Sequence, residues 1–120
     1  MDKMKYDRIK AGFERCGGTI ASSPDIDKHL DKMGAEASTL NAITILVREN
    51  QRPSSSAMFE ELIHTAQYRT GRATGSNWID MEIEAKQKLV QNQRKYDIPD
   101  SENDVTIKQL KELLRLKEGV

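Results

Sequence analysis

Hydrophobic residues in this chain recur at helical intervals in five stretches and concentrate at strand-like density in one. Met4, Ile9 and Phe13 share a side of a helix over residues 3–15, and Gly17-Gly18 is a natural stop. A short extended piece follows at "TIASS". Pro24-Asp25 opens a second, shorter helix that sets Ile26, Leu30 and Met33 on one stripe and ends near Gly34. "AITILVREN" is the best strand of the chain, because β-branched Ile43, Thr44, Ile45 and Val47 favour an extended backbone. "QRPSSS" then supplies a turn and a serine cap for a strongly amphipathic helix over residues 55–70, which Gly71 and Gly75 terminate. A further long helix runs from about Asn77 to Tyr96. It stops before "DIPDSEND", where Pro99 disfavours helix and Ser101 or Asn103 can cap a last helix over residues 104–117.

This order predicts one small α+β domain over residues 1–120, mostly helical, with a short sheet beside the helix at 55–70. Size agrees: 120 residues with 37% hydrophobic content support one modest core and leave little room for a second. The 19 basic and 19 acidic residues cancel and are interspersed, so no broad field points to nucleic acid or to a membrane. "KQKLVQNQRKY" gathers basic residues around an aromatic, yet on a balanced chain it reads as a solvated helix face. The single cysteine, Cys16, excludes an intrachain disulfide framework and a cysteine-rich zinc site, and suits a reducing compartment. The N-terminal segment lacks the apolar core of a signal peptide and no stretch has membrane-spanning length. A soluble, cytoplasmic protein is expected; to act outside the cell it needs another factor to export it, or is a piece of a larger polypeptide.

Candidate chemistry lies in the helix at 55–70. At about 100° per residue, Met58, Phe59, Leu62, Ile63 and Ala66 gather on one side and Glu60, Glu61, His64, Gln67 and Tyr68 on the other. Residues four apart lie one turn above each other, so Glu60 and His64 can both bind one cation through a carboxylate oxygen and an imidazole nitrogen. Glu61 is then free to act on a metal-bound water. H-E-x-x-H uses the same plan, with Glu60 here in place of its first histidine. The plainer alternative is an acidic patch near a helix N-terminus, with His64 exposed or hydrogen-bonded to a neighbouring glutamate.

Catalytic zinc usually has three protein ligands, and "DMEIEAKQKL" offers the third. Trp78, Met81, Ala85, Leu89 and Tyr96 form one side of that helix, with Ile79, Ile83 and Val90 flanking it. Glu82 falls inside the apolar stripe, whereas Glu84 falls beside Lys88 on the opposite face. An ionised carboxylate facing a core is costly unless a cation meets it. That cation is either a metal or Lys86, one turn further on. Elsewhere, His29 near its apolar stripe reads as a structural histidine and Cys16 as a buried or incidental thiol. Tyr68 and Arg69 are placed either to contact a substrate or to pack at the helix end.

With these residues in view, the sequence resembles the compact zincin-like metallopeptidases, in which the metal helix is followed by a glutamate helix carrying E-x-x-A. "EELIH" is similar to H-E-x-x-H, and "EIEA" at 82–85 to the glutamate element. "TILVREN" takes the place of the edge strand along which a peptide substrate lies. "FEELIHTAQYRTG" followed by "EIEAKQKL" and "IPDSEND" also resembles peptidase-like modules of prophage head-associated proteins and polymorphic toxins. The likeness covers roughly residues 40–110. It implies Glu60, His64 and Glu82 as metal ligands, Glu61 as general base, and a peptide or protein as substrate. Zinc is the metal it implies, while the extra carboxylate makes the site harder and improves the competition from manganese, iron and magnesium. The implied function is a metal-dependent peptidase-like hydrolase of phage or toxin origin, or its degenerate descendant. The alternative is a non-catalytic interaction module of a phage or toxin-related protein.

Overall fold

The structure is a computed structural model that describes residues 1–119. Their secondary structure runs α1 (Lys3–Arg15), β1 (Thr19–Ala21), α2 (Pro24–Met33), β2 (Ala37–Asn41), β3 (Thr44–Val47), α3 (Ser55–Arg69), α4 (Trp78–Gln91) and α5 (Asp100–Glu118). This is the mostly helical α+β architecture that the hydrophobic pattern predicts. The first three helices start on side-chain caps: Asp2, Ser23 and Ser54 accept the backbone N–H groups of Lys5, Ile26 and Ala57. Gly34 closes α2 in the left-handed region, at φ 65°.

The strands form a sheet in the order β1-β3-β2, with β1 parallel and β2 antiparallel to β3. The β2–β3 turn is held by Asn41, whose Oδ1 accepts the Ile43 N–H. Ile45, Leu46 and Val47 are all buried, since β3 has a strand on either side. α3 crosses this sheet and carries an apolar cluster on each flank. Met58 and Leu62 pack on Ala37, Ile45 and Val47, with Tyr6, Ile9 and Phe13 of α1 closing that group. Phe59 and Ile63 meet Ala85, Leu89, Tyr96 and Ile98, where the Phe59 and Tyr96 rings stack with centroids 4.3 Å apart.

Several expectations change. β3 is the central strand, so "TILVREN" does not form the edge beside a substrate; that edge belongs to β2, a polar strand with too little apolar alternation to announce itself. α4 ends at Gln91 rather than Tyr96, because Tyr96 folds back onto Phe59 and Asp97 turns the chain at φ 52° to bury Ile98. α5 begins at Asp100 and not near 104, with Ser101 and Asn103 inside it. Pro99 occupies the cap, and Asp100 and Glu102 supply first-turn negative charge. His29 is exposed, and Trp78 stands 55% exposed instead of joining the core; exposed Cys16 takes the incidental rather than the buried of its two readings. Among the described residues no helix is long and apolar enough to cross a membrane.

Candidate metal centre

The polar side of α3 does not face solvent. No residue from 53 to 67 is exposed, and Glu61 and Gln67 keep only 7% and 1% of their surface. α3 lies between the sheet and α4, so its polar side closes onto a cleft of about 280 Å³ formed with the end of α2, β2 and the first turns of α4. Glu60, Glu61, His64 and Glu82 all line that cleft, with Met33, Tyr68 and Trp78 among its partly exposed apolar lining.

Glu60, His64 and Glu82 each offer a ligand atom within 4.8 Å of the others, a group that could hold a metal ion. Glu82 joins Glu60 and His64 as its helical phase predicts, but Glu84 is not turned away: its side chain is the less exposed of the two, 23% against 34%, and it accepts from Gln67 of α3. Glu84 also pairs with Arg72 and, at 3.5 Å, with Lys88. His64 Nε2 lies 3.3 Å from Glu82 Oε1. The orientation of that ring follows from Gln67. Its amide nitrogen donates to the Met81 carbonyl (3.0 Å) and to Glu84 Oε1 (3.1 Å), which leaves its oxygen to face His64 Nδ1 at 2.7 Å. A proton on Nδ1 satisfies that contact, so in the neutral ring the lone pair is on Nε2, toward Glu82. One imidazole and two carboxylates suit a divalent cation, with harder ions competing better than at a two-histidine site.

A side-chain cation already belongs to the group. The Lys86 ammonium, on a residue only 8% exposed, pairs with Glu60 and lies 3.7 Å from Glu82 Oε2. The lysine weighed as the alternative to a metal is therefore in contact with both carboxylates, and its closer partner is the one on the other helix.

Protonation follows from this crowding. Burial lowers the basicity of His64, but the hydrogen bonds to Glu82 and Gln67 and the charges of Glu82 and Glu61 outweigh it, raising the imidazole to about 9. Burial works to raise Glu82, yet the His64 hydrogen bond and the charges of His64 and Lys86 hold it below the ordinary carboxylate value. Glu61 goes the other way: burial and the charge of Glu60 push its carboxyl up to about 7, against the opposing pull of His64 and Thr39. The Thr39 hydroxyl, on β2, faces both Glu61 Oε1 (3.0 Å) and the Glu61 carbonyl (2.9 Å). A carboxyl that titrates near neutrality is matched to moving a proton.

Sequence reasoning did not assign the roles of Gln67 and Thr39. Gln67 stood on the correct side of α3, but its partners come from α4; Thr39 gave no signal, because β2 itself was not legible. Tyr68 lines the cleft, whereas Arg69 is exposed on the last turn of α3. Comparison with protein-family models, curated proteins and solved structures finds no match to this chain.

Proposed function

We propose that the cleft is the centre of a metal-dependent, peptidase-like hydrolase in which Glu60, His64 and Glu82 hold a divalent cation and Glu61 is the general base. One observation carries this reading: ligand atoms from α3 and α4 converge within 4.8 Å of one another beside the buried carboxyl of Glu61. A cation bound there supplies Lewis acidity for a carbonyl and acidifies a water. Glu61, held by Thr39, accepts a proton from the attacking water and returns it to the departing amine. Gln67 keeps the His64 ring in the ligating tautomer. The outer edge of β2, which pairs with no other strand among the described residues, runs beside the cleft through Ala37, Ser38 and Thr39, and can align an extended peptide there instead of β3.

A second reading rests on Lys86. Because its ammonium neutralises Glu60, the cleft is electrically sufficient without a metal, as in a degenerate site kept as an interaction module of a phage or toxin-related protein.

Elemental analysis separates them. Protein purified without chelator and incubated with zinc or manganese should carry about one metal per chain, and His64→Ala should lose it. In Glu61→Gln the metal should stay while hydrolysis of an unstructured protein substrate falls about 100-fold or more. Equal, negligible metal in wild type and His64→Ala overturns the hydrolase and leaves the interaction module.

A further inference from the structure

Lys86 is the one lysine that is buried among the described residues. It touches both candidate carboxylate ligands without lining the cleft itself. A second cavity of about 260 Å³, lined by Glu36, Ser56, Lys86 and Gln109 among others, adjoins the cleft at α3's acidic turn. The two cavities share Glu60 and Glu61, so the Glu60–Lys86 pair stands in the wall between them.

Charge decides what happens when a divalent cation enters. Glu60 and Glu82 neutralise such an ion by themselves, so an ammonium retained on the same two carboxylates would be a buried positive charge with no partner of its own. Glu61 does not replace them, because it makes no ion pair with Lys86. The lysine stem is a flexible four-carbon chain, unlike the rigid fork of arginine, and its open side is the second cavity.

Building on the metal reading above, we propose that Lys86 is a resident counter-cation of this centre. Its ammonium and a divalent metal are alternative partners of Glu60 and Glu82, and metal entry displaces the ammonium into the second cavity. The metal-free protein is thereby kept neutral and folded, at the expense of affinity: a metal must outcompete an ammonium already in contact.

Calorimetric titration of Zn²⁺ and Mn²⁺ into wild type, Lys86→Met and Lys86→Arg tests this, together with acetylation of wild-type Lys86 by N-hydroxysuccinimidyl acetate read by mass spectrometry. Lys86→Met should bind metal about ten-fold more tightly or better, the scale on which groups behind metal ligands act, and Lys86→Arg no more tightly than wild type. Lys86 should be protected in the metal-free protein and modified at saturating zinc. Metal binding by wild type with equal or weaker affinity in Lys86→Met overturns the competition alone and makes Lys86 a positioning residue for Glu60. If Lys86→Met does not fold, acetylation decides: protection that persists at saturating zinc overturns the proposal. No metal in wild type or in Lys86→Met overturns it together with the metal reading.

Discussion

Gln67 uses both ends of its amide, and each end has a different consequence. Its nitrogen ties α3 to the Met81 carbonyl and Glu84 of α4, while its oxygen fixes the His64 ring. Gln67→Leu leaves His64 Nδ1, the Met81 carbonyl and Glu84 without this partner, a loss of about 1–3 kcal/mol in folding stability. Zinc affinity should fall about 10- to 100-fold, as when an outer partner of a ligating histidine is removed. Gln67→Glu restores an acceptor for Nδ1 but sets a carboxylate against Glu84, so it should recover much of the zinc affinity without recovering stability. Calorimetric titration alongside urea unfolding distinguishes the two roles, and a Gln67→Leu variant that binds zinc as tightly as wild type would show that the His64 tautomer is set elsewhere. At this scale the sequence was informative wherever spacing on one helix was enough. Glu60, Glu61 and His64 are neighbours because residues three and four apart share a face, and phase placed Glu82 beside them but did not foresee that Glu84 also turns toward α3, through Gln67. Lys86 was legible as a counter-cation for Glu82, one turn away, but not for Glu60, and Gln67 was visible only as a residue, since those partners lie on another helix.

Among the elements, the hairpin shows how strand strength and strand position differ. The β-branched run that made residues 44–47 the clearest strand is also what suits them to the middle of the sheet, buried between two neighbours. The polar edge strand, which borders the cleft, carries the weaker signal. α3 was legible as a helix but not as an interior one: its polar side closes on a cleft because α4 packs against it, and no periodicity reports that. Thr39 joins the two elements, and Thr39→Val keeps the shape while removing the hydroxyl that faces Glu61 twice. The expected cost is about 1 kcal/mol. The hydrogen bond from Thr39 lowers the Glu61 pKa, so its removal should move the ionisation of Glu61 upward from about 7. Carboxyl-detected NMR titration of the metal-free variant reads this shift, and a downward or absent shift would show that Thr39 does not hold the charged form.

For the molecule as a whole, balanced formal charge leaves little long-range field, so the response to pH is concentrated in the cleft. Two of its groups hold their protons more tightly folded than unfolded: His64 is raised from 6.5 to about 9 and Glu61 from 4.5 to about 7. A raised folded pKa gives stability that is fully present below the unfolded value and lost as pH rises through the folded one. Glu82, whose pKa is lowered, contributes the opposite dependence, which falls away on acidification rather than in the alkaline range. Metal-free protein should therefore lose stability on the order of 1–3 kcal/mol between about pH 6 and about pH 9.5. A bound metal reverses the trend, because it requires neutral His64 and ionised carboxylates: affinity rises with pH, protons are released, and the folded state is stabilised most where the metal-free form is weakest. Urea unfolding at both ends of this range, in chelator and in excess zinc, should show a midpoint that falls with pH only in chelator. A chelator-treated protein whose midpoint rises across the range would mean that His64 is not held as an imidazolium by Glu82, and the electrostatic description of the cleft would fail with it.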